Sequence, residues 1–502
     1  MFYNLLFEVI KSLSTEEIEL FKVFLKSPFF NTSNRIILLF NEIIKFYPDF
    51  NQPELTKELL FNSFSSKSFN ESTLRNLVWK LSNLFDEFLL QIRMKNEKLE
   101  SLNYILKEYN LRYIKNAFDF KAKKIEKGTA DIELDKIDDY YGKYQFSLNN
   151  TNFHVIHDKI FSKKEVVEQQ VKNLSNTGLL LFNAFITELI NEYINIMSYH
   201  FNYDIDYKDN FIFDILKYIN LKNIFKSIKN KTKYDYILEL YLKLYECYCN
   251  IENDKFYYEY KNLFLENLNK LNEDSRAFHF GVLINLCLRK NNLDTSKDEF
   301  VNEEFNLYEI ILQNEYYKEG KINYLPTYYF RAILFSALKL KKFDWVQNFI
   351  EKYSNNVPEE DRENIYNFGN AYLYFEKGEY NSSARHLLKI SIDQFVFKFD
   401  IRNLTLKIFY ELEDYDKAFE VLHSYKEFLR DSKLMTKDNK MLLLKYINYT
   451  EKFMLYKTGQ RTIDIGRIKH NLQKEDKVAF KNWLIDKADE LIQIGKKRVL
   501  AS

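Results

Sequence analysis

The stretch that decides the fold is residues 371–390, AYLYFEKGEYNSSARHLLKI. Small and apolar residues recur at helical spacing on both sides of Gly378, which predicts two helices joined by a short turn. Two further stretches, 341–353 (KKFDWVQNFIEKY) and 412–425 (LEDYDKAFEVLHSY), carry an aromatic residue in the same place, where the second helix opens. These aromatic residues are Phe343, Tyr380 and Tyr415, which are 37 and 35 residues apart. A repeat of this length predicts stacked helix pairs.

The chain resembles tetratricopeptide repeats over about 326–430. The family's pattern is a small residue, an aromatic, a glycine turn, a second aromatic, a small residue and two apolar residues. The best copy carries it as Ala371, Tyr374, Gly378, Tyr380, Ser383, Leu387 and Ile390. The resemblance implies an α-solenoid in which small residues let two helices approach closely and large ones fill the space beside them.

The other two copies depart from the family's pattern. The copy around Tyr415 keeps Phe409, Ala418 and Leu422, but Glu413 stands in the glycine position. The copy around Phe343 has Val346 and Ile350, and Pro358 lies where a repeat often ends. Residues 234–325 are consistent with further degenerate helix pairs of unfixed register.

The resemblance also implies a concave groove, lined by the first helix of each pair, that holds a peptide or a partner helix. It places ten residues there: Tyr328, Arg331, Phe335, Lys339, Phe368, Tyr372, Glu376, Asn403, Lys407 and Tyr410. The Lys/Asn set with which some members bind a terminal carboxylate is not reproduced, since Phe368 and Tyr372 occupy such positions. The alternative is that the ten residues pack against neighbouring helices or against the N-terminal module.

The fold prediction for the whole chain is all-α. Only 10 glycines and 5 prolines occur in 502 residues, too few for the turns of an all-β chain. A compact N-terminal helical module leads into an α-solenoid of helix pairs. The predicted segments are 1–95 (N-terminal module), 96–210 (connecting helices), 211–325 (degenerate pairs), 326–430 (tetratricopeptide-like repeats) and 431–502 (capping helices).

Within the N-terminal module, Ser14-Thr15-Glu16-Glu17 is a capping box. The helix that it opens stops at Ser27-Pro28, and Asn70 caps a longer helix with leucines at i+3/i+4 spacing. Further along, 149–154 (NNTNFH) and 202–210 are predicted connections, and two helices are expected over 155–175 and 179–200. Trp483 and Leu484 lie on a final helix, about 475–495, that is expected to cap the array.

The composition excludes several classes of protein. The closest two glycines, Gly459 and Gly466, are seven residues apart, so GxGxxG and GxxxxGK[ST] loops are absent and no cofactor is predicted. The formal charge of +1 gives no general attraction to nucleic acid or to an anionic membrane. Three cysteines fit a reducing compartment, and no signal peptide or transmembrane segment is recognised. We therefore expect a cytoplasmic protein without a membrane partner.

Two alternative functions rest on local clusters. The helix from Asn70 to Arg93 follows a short helix and a turn, and its cations Arg75, Lys80 and Arg93 would suit a recognition helix for nucleic acid. Acidic residues between these cations, and leucines that demand burial, weigh against it. Short basic clusters at 121–127 and 496–498 are typical of solvated helix ends.

The second alternative is a metal-dependent hydrolase. His154 and His157 would share one face of a helix, and Asp158 follows them. Further ligands would have to come from residues such as Glu165 or Glu168, and surface histidines beside a loop are the simpler interpretation. The sequence predicts no metal site and no catalytic residue.

The chain as a whole resembles an uncharacterised group of bacterial proteins of about 500 residues. The stretches that carry this resemblance are 13–31, 47–50, 55–61, 74–89, 341–353 and 372–380. The resemblance implies one folding unit and no particular chemistry. The sequence therefore favours a non-enzymatic scaffold that binds another protein through the repeat groove.

Overall fold

A computed structural model of the protein describes residues 2–96, 98–129, 137–157, 164–203, 209–229, 235–293, 298–318, 323–391, 395–432, 437–461, 463–475 and 477–501. In these ranges every regular element is helical, which confirms the all-α prediction for the described part of the chain. The chain divides into two compact units, Met1–Phe185 and Ile186–Ser502. The five predicted segments stay a prediction.

Nine helices of the described residues begin in the first unit. They are α1 (Phe2–Lys11), α2 (Thr15–Lys26), α3 (Asn34–Ile43), α4 (Lys57–Asn62), α5 (Glu71–Asn96), α6 (Lys98–Leu111), α7 (Lys115–Thr129), α8 (Ile137–His157) and α9 (Lys164–Tyr203). A short 3-10 helix, Ile44–Phe46, follows α3.

The capping box forms at the start of α2. The Ser14 hydroxyl accepts a hydrogen bond from the Glu17 backbone at 3.2 Å, and the Glu17 carboxylate accepts one from the Ser14 backbone at 2.7 Å. The core of this module joins α2 to the leucine-rich face of α5, where Phe21 and Phe85 stack with ring centroids 3.8 Å apart. Sequence and structure agree here because the local signals and the apolar periodicity point to the same faces.

The loop predicted at 149–154 is wrong, because α8 continues through it to His157. Phe153 is fully buried and stacks on Phe118 at 3.6 Å. Burial of that ring outweighs the weak helix propensity of the neighbouring asparagines. The predicted interruption between 175 and 179 is also wrong, since α9 is continuous over 40 residues.

The remaining fifteen helices of the described part lie in the second unit. They are α10 (Phe211–Tyr218), α11 (Leu221–Ile228), α12 (Asp235–Cys249), α13 (Asp254–Asn267), α14 (Glu273–Leu293), α15 (Glu299–Gln313), α16 (Thr327–Lys339), α17 (Phe343–Tyr353), α18 (Arg362–Glu376), α19 (Tyr380–Leu387), α20 (Phe395–Glu411), α21 (Tyr415–Asp431), α22 (Lys437–Lys457), α23 (Ile465–Lys474) and α24 (Lys481–Ala501). Short 3-10 helices are Leu268–Lys270, Ser354–Asn356 and Glu359–Asp361.

The turns after α16, α18 and α20 share one geometry. Each contains a residue with left-handed backbone, namely Lys341 (φ 55°), Gly378 (φ 78°) and Glu413 (φ 58°). The backbone N–H of the next residue donates to the carbonyl five residues earlier, at 2.8 to 3.1 Å. This pattern closes the end of a helix in a Schellman motif. Glu413 thus adopts the glycine conformation despite its side chain.

Small side chains bring the helices of these pairs close together. The Ser383 hydroxyl on α19 donates to the Ala371 carbonyl on α18 at 2.6 Å, and both residues are fully buried. At Gly369, a β-carbon would lie 2.8 Å from the side chain of Ile350 on α17, so any larger residue there would force Ile350 to shift. At the end of the chain, Leu484 on α24 is fully buried in the core that α20, α21 and α22 share.

Candidate partner-binding surface

The ten residues assigned to the groove lie on α16, α18 and α20, in matching register. Phe335, Tyr372 and Lys407 each lie six residues before the left-handed residue of the following turn. Lys339 and Glu376 lie two residues before it. The rings of Phe335 and Tyr372 are 4.8 Å apart, so α16 and α18 meet along this row.

The first part of the row is closed by an ion pair. Arg331 on α16 forms a bidentate pair with Asp400 on α20, with its Nη2 atom 2.8 Å from Oδ1 and its Nε bonded to Oδ2. The Tyr372 hydroxyl on α18 donates to the Asp400 carbonyl at 2.8 Å. The Arg331 guanidinium also lies 4.7 Å from the Phe335 ring centroid. These residues, called the Arg331 cluster below, tie the three helices together.

Aromatic rings fill the space beneath the Arg331 cluster. Phe368 is fully buried, and its centroid lies 6.0 Å from Phe335, 5.0 Å from Tyr372 and 5.0 Å from Phe397. Burial raises the pKa of Tyr372 well above its usual range, which keeps its hydroxyl protonated as a donor. These residues therefore pack between helices, which is the alternative to an open groove.

The second part of the row surrounds the ammonium of Lys407. Its Nζ lies 3.8 Å from the ring centroid of Phe480, 5.6 Å from that of Trp483 and 5.8 Å from that of Phe375. Among the described residues, no carboxylate oxygen comes within 4.0 Å of it. Burial lowers the pKa of Lys407 to about 8, while Glu376 and Glu411 act in the opposite direction. Lys407 with its three rings is called the Lys407 cluster below.

Glu411 does not pair with Lys407 because both of its oxygens are engaged elsewhere. Oε1 accepts from the Trp483 indole N–H at 2.9 Å, and Oε2 accepts from the Lys487 ammonium at 2.9 Å. Lys487 also contacts Glu490 at 2.8 Å. These bonds fix α24 on α20 and hold Trp483 beside Lys407.

Glu376 forms the rim of the Lys407 cluster. Its side chain reaches solvent, yet the surrounding protein removes enough water to raise its pKa above the usual value, against the opposing effect of Lys407 and Lys341. The Phe480 side chain is 38% exposed, so a partner could touch both the ring and the rim. The cluster therefore combines a desolvated cation, an accessible aromatic face and an acid.

The other predicted residues divide between core and surface. Asn403 and Tyr410 are buried, with the Asn403 amide oxygen accepting from the Tyr425 hydroxyl at 2.7 Å. Tyr410 lies 5.3 Å from Trp483, centroid to centroid. Tyr328 is 62% exposed and Lys339 is exposed, away from the Lys407 cluster. The ten residues therefore do not form one open surface.

Sequence reasoning missed the acids and rings that complete both clusters. Asp400, Glu411, Phe480 and Lys487 were not assigned to the groove. Glu411 could have been found, because it lies two residues before Glu413, in register with Lys339 and Glu376. Phe480 and Lys487 come from a distant segment whose docking no local pattern reveals.

The predicted recognition helix is α5. Its leucine face is buried in the core of the module, and Arg75 is 3.7 Å from Glu71. Lys80 and Arg93 are exposed, but Asp86 and Glu87 are exposed among them. Nothing in this arrangement adds to the case for nucleic acid, which stays a prediction.

The histidine cluster lies partly outside the described residues. The His154 ring stands edge-on to Phe118 at 6.3 Å and to Phe153 at 5.8 Å. The side chain of His157 and the whole of Asp158 fall outside the description. Among the described residues, no group of three or more His, Cys, Asp and Glu is arranged to hold a metal ion.

Comparisons with protein-family models, with curated proteins and with solved structures found no match to this chain. In the described part of the chain, none of the helices combines the length and the apolar composition that crossing a lipid bilayer requires.

Proposed function

We propose that this chain is a non-enzymatic scaffold of tetratricopeptide-like helix pairs that binds an acidic segment of another protein at the Lys407 cluster. The three turns with matching hydrogen bonds, 37 and 35 residues apart, support the repeat assignment. The close approach of α17 and α18 at Gly369 supports it as well, because the family places small residues where helices cross.

The observation that carries the binding proposal is the unpaired ammonium of Lys407. Removing a cation from water without a carboxylate partner is unfavourable, and aromatic faces offset only part of that cost. A carboxylate brought by a partner would supply the missing charge. Because the Lys407 ammonium is already desolvated, its attraction to that carboxylate would be stronger than the attraction of a solvated lysine.

The surroundings suit a peptide rather than a small anion. Phe480 offers an accessible ring for an apolar side chain, and the Glu376 carboxylate can accept a hydrogen bond from a peptide N–H. Trp483 is held in place by its bond to Glu411, so the aromatic wall is preorganised.

The test is site-specific photo-crosslinking in the cells from which the protein comes. A benzophenone amino acid replaces Glu376, at the rim of the Lys407 cluster, or Trp79, which is 53% exposed on α5. Cross-linked partners are purified with and without nuclease and identified by mass spectrometry. We expect a nuclease-resistant protein at position 376, attached through an acidic stretch, and we expect Lys407→Met to abolish that product.

Lys389→Met is the matched control, because Lys389 is exposed and has no ion pair among the described residues. It should leave the cross-link intact. A product at position 376 that survives Lys407→Met would refute the assignment of the surface. Cross-links at position 79 alone that vanish with nuclease would instead favour nucleic-acid binding through α5.

A further inference from the structure

A cleft of about 630 Å³ lies where α10 and α11 meet α12. It is separate from the helices of the Arg331 and Lys407 clusters. Its lining includes Ile219, Asn220 and Leu221 at the junction of α10 and α11, and Leu242 on α12. The volume falls within the range of sites that hold one small ligand.

The lining of the cleft carries more positive than negative charge. Five lysines contribute to it, and two acids oppose them. The acids are already paired: Glu239 lies 3.7 Å from Lys229, and Glu246 lies 2.9 Å from Lys243. Lys243 is further neutralised by Glu259 at 2.7 Å.

Three lysines of the lining remain without a carboxylate partner within the described residues. Lys217 lies in the last turn of α10, while Lys222 and Lys226 are one turn apart on α11 and so project from the same side of that helix. All three are exposed. Three mobile ammonium groups around one concavity match the charge of a di- or triphosphate.

Aromatic side chains lie among these cations. Phe225 and Tyr245 line the cleft, and Tyr218 at its edge is 82% exposed. An exposed tyrosine beside a concavity offers a flat face for stacking, and stacking of a base on an aromatic ring is sequence-tolerant and favourable.

We infer that this cleft binds a free nucleotide, with the pyrophosphate on Lys217, Lys222 and Lys226 and the base against Tyr218. The phosphates would be held by side-chain cations, since the chain has no glycine loop to bring backbone N–H groups to them. A free nucleotide fits better than a polymer because the cleft, of about 630 Å³, has the size of a site for one small ligand.

The test is isothermal titration of the full chain with ATP, adenosine, inorganic pyrophosphate and a single-stranded oligonucleotide, in magnesium-free buffer at low salt. ATP should bind, and adenosine and pyrophosphate should each bind at least tenfold more weakly. Lys222→Glu with Lys226→Glu should weaken ATP binding at least tenfold. Lys26→Glu with Lys474→Glu changes the net charge equally on exposed lysines elsewhere and should leave it unchanged.

Tyr218→Ala separates the two halves of the ligand, and its exposure makes it safe for folding. It should weaken ATP binding and leave pyrophosphate binding unchanged. The inference is overturned if ATP does not bind at millimolar concentration, if the control pair weakens ATP as much as the cleft pair, or if pyrophosphate binds as tightly as ATP. It is equally overturned if only the oligonucleotide is bound.

Discussion

Replacing Lys407 by methionine should stabilise the folded chain while abolishing the binding proposed for it. The ammonium lies against three aromatic rings and has no carboxylate in contact among the described residues, and burial lowers its pKa to about 8. In the unfolded chain the same group has a pKa of about 10.4. The charged form of Lys407 is therefore less stable in the folded chain than in water.

The size of the effect follows from that difference. A tenfold change in proton affinity corresponds to about 1.4 kcal/mol, which gives roughly 3 kcal/mol for the full difference. The methionine variant also loses the attraction between the ammonium and the aromatic faces, about 1 kcal/mol, which leaves a net gain of roughly 2 kcal/mol at pH 7. Methionine has a similar length and no charge, so the variant escapes this cost and keeps the contact with the rings.

Proton linkage fixes the direction in which the free energy of unfolding changes with pH. Between pH 8 and about 10.4 the unfolded chain binds the proton and the folded chain has released it, so stability rises with pH across this window. Below pH 8 both states are charged and the cost is fully present. The advantage of Lys407→Met should therefore be greatest at pH 7 and should disappear as pH approaches about 10.

Hydrogen exchange followed by mass spectrometry suits a chain with two units, since it reports each helix separately. Peptides from α20 and α24 should exchange about 30-fold more slowly in Lys407→Met than in the parent chain at pH 7. Lys389→Met should leave these peptides unchanged. Faster or equal exchange in Lys407→Met at pH 7, or a difference that does not shrink with pH, would refute the reasoning.

Three further predictions concern helices of the second unit. Gly378→Ala should lower the free energy of unfolding by about 1 kcal/mol, because φ is 78° there. Gly281 lies inside α14 with open space around it, so Gly281→Ala should raise the free energy of unfolding by roughly 0.5 to 1 kcal/mol. The melting temperatures of the two variants should therefore shift in opposite directions. Gly369→Ala should cost about 1 to 3 kcal/mol through its clash with Ile350, and combining it with Ile350→Ala in urea titrations should give less than the sum of the single effects. Burial raises the pKa of Glu304 to about 7. The protonated carboxyl therefore contributes stability that is fully present below about pH 4.3 and is lost as pH rises through 7. Glu304→Gln should make the melting temperature less dependent on pH between pH 5 and 8.

Local signals in the sequence were enough to predict three helix-ending turns of the second unit. The spacing of Phe343, Tyr380 and Tyr415 located three turns that the structure closes in the same way. The glycine pattern counted Glu413 as a departure, yet it takes the left-handed conformation that glycine would. The rest of the fold imposes this strained conformation, because its neighbours supply the same helix-ending hydrogen bonds.

The sequence could not reveal contacts between distant segments. The loop predicted at 149–154 failed because asparagines favour turns locally, while the stacking of Phe153 on Phe118 is a tertiary effect. The Lys407 cluster was missed for the same reason: Phe480 and Trp483 reach Lys407 only after α24 has docked on α20. Periodicity predicts which face is buried, but it does not identify the partner that covers it.

The difference between the two clusters is the reason for placing the proposed docking surface at one end of the row. Phe335, Tyr372 and Lys407 occupy one register position, so backbone geometry does not distinguish them. Beside Phe335 and Tyr372, the charge of Arg331 is paired with that of Asp400, so this part of the row is closed. Near the third, the acid of the same helix end, Glu411, is taken by Trp483 and Lys487 from α24, which leaves Lys407 unpaired. The docking of α24 on α20 thus leaves unpaired the charge at which we propose that a partner binds.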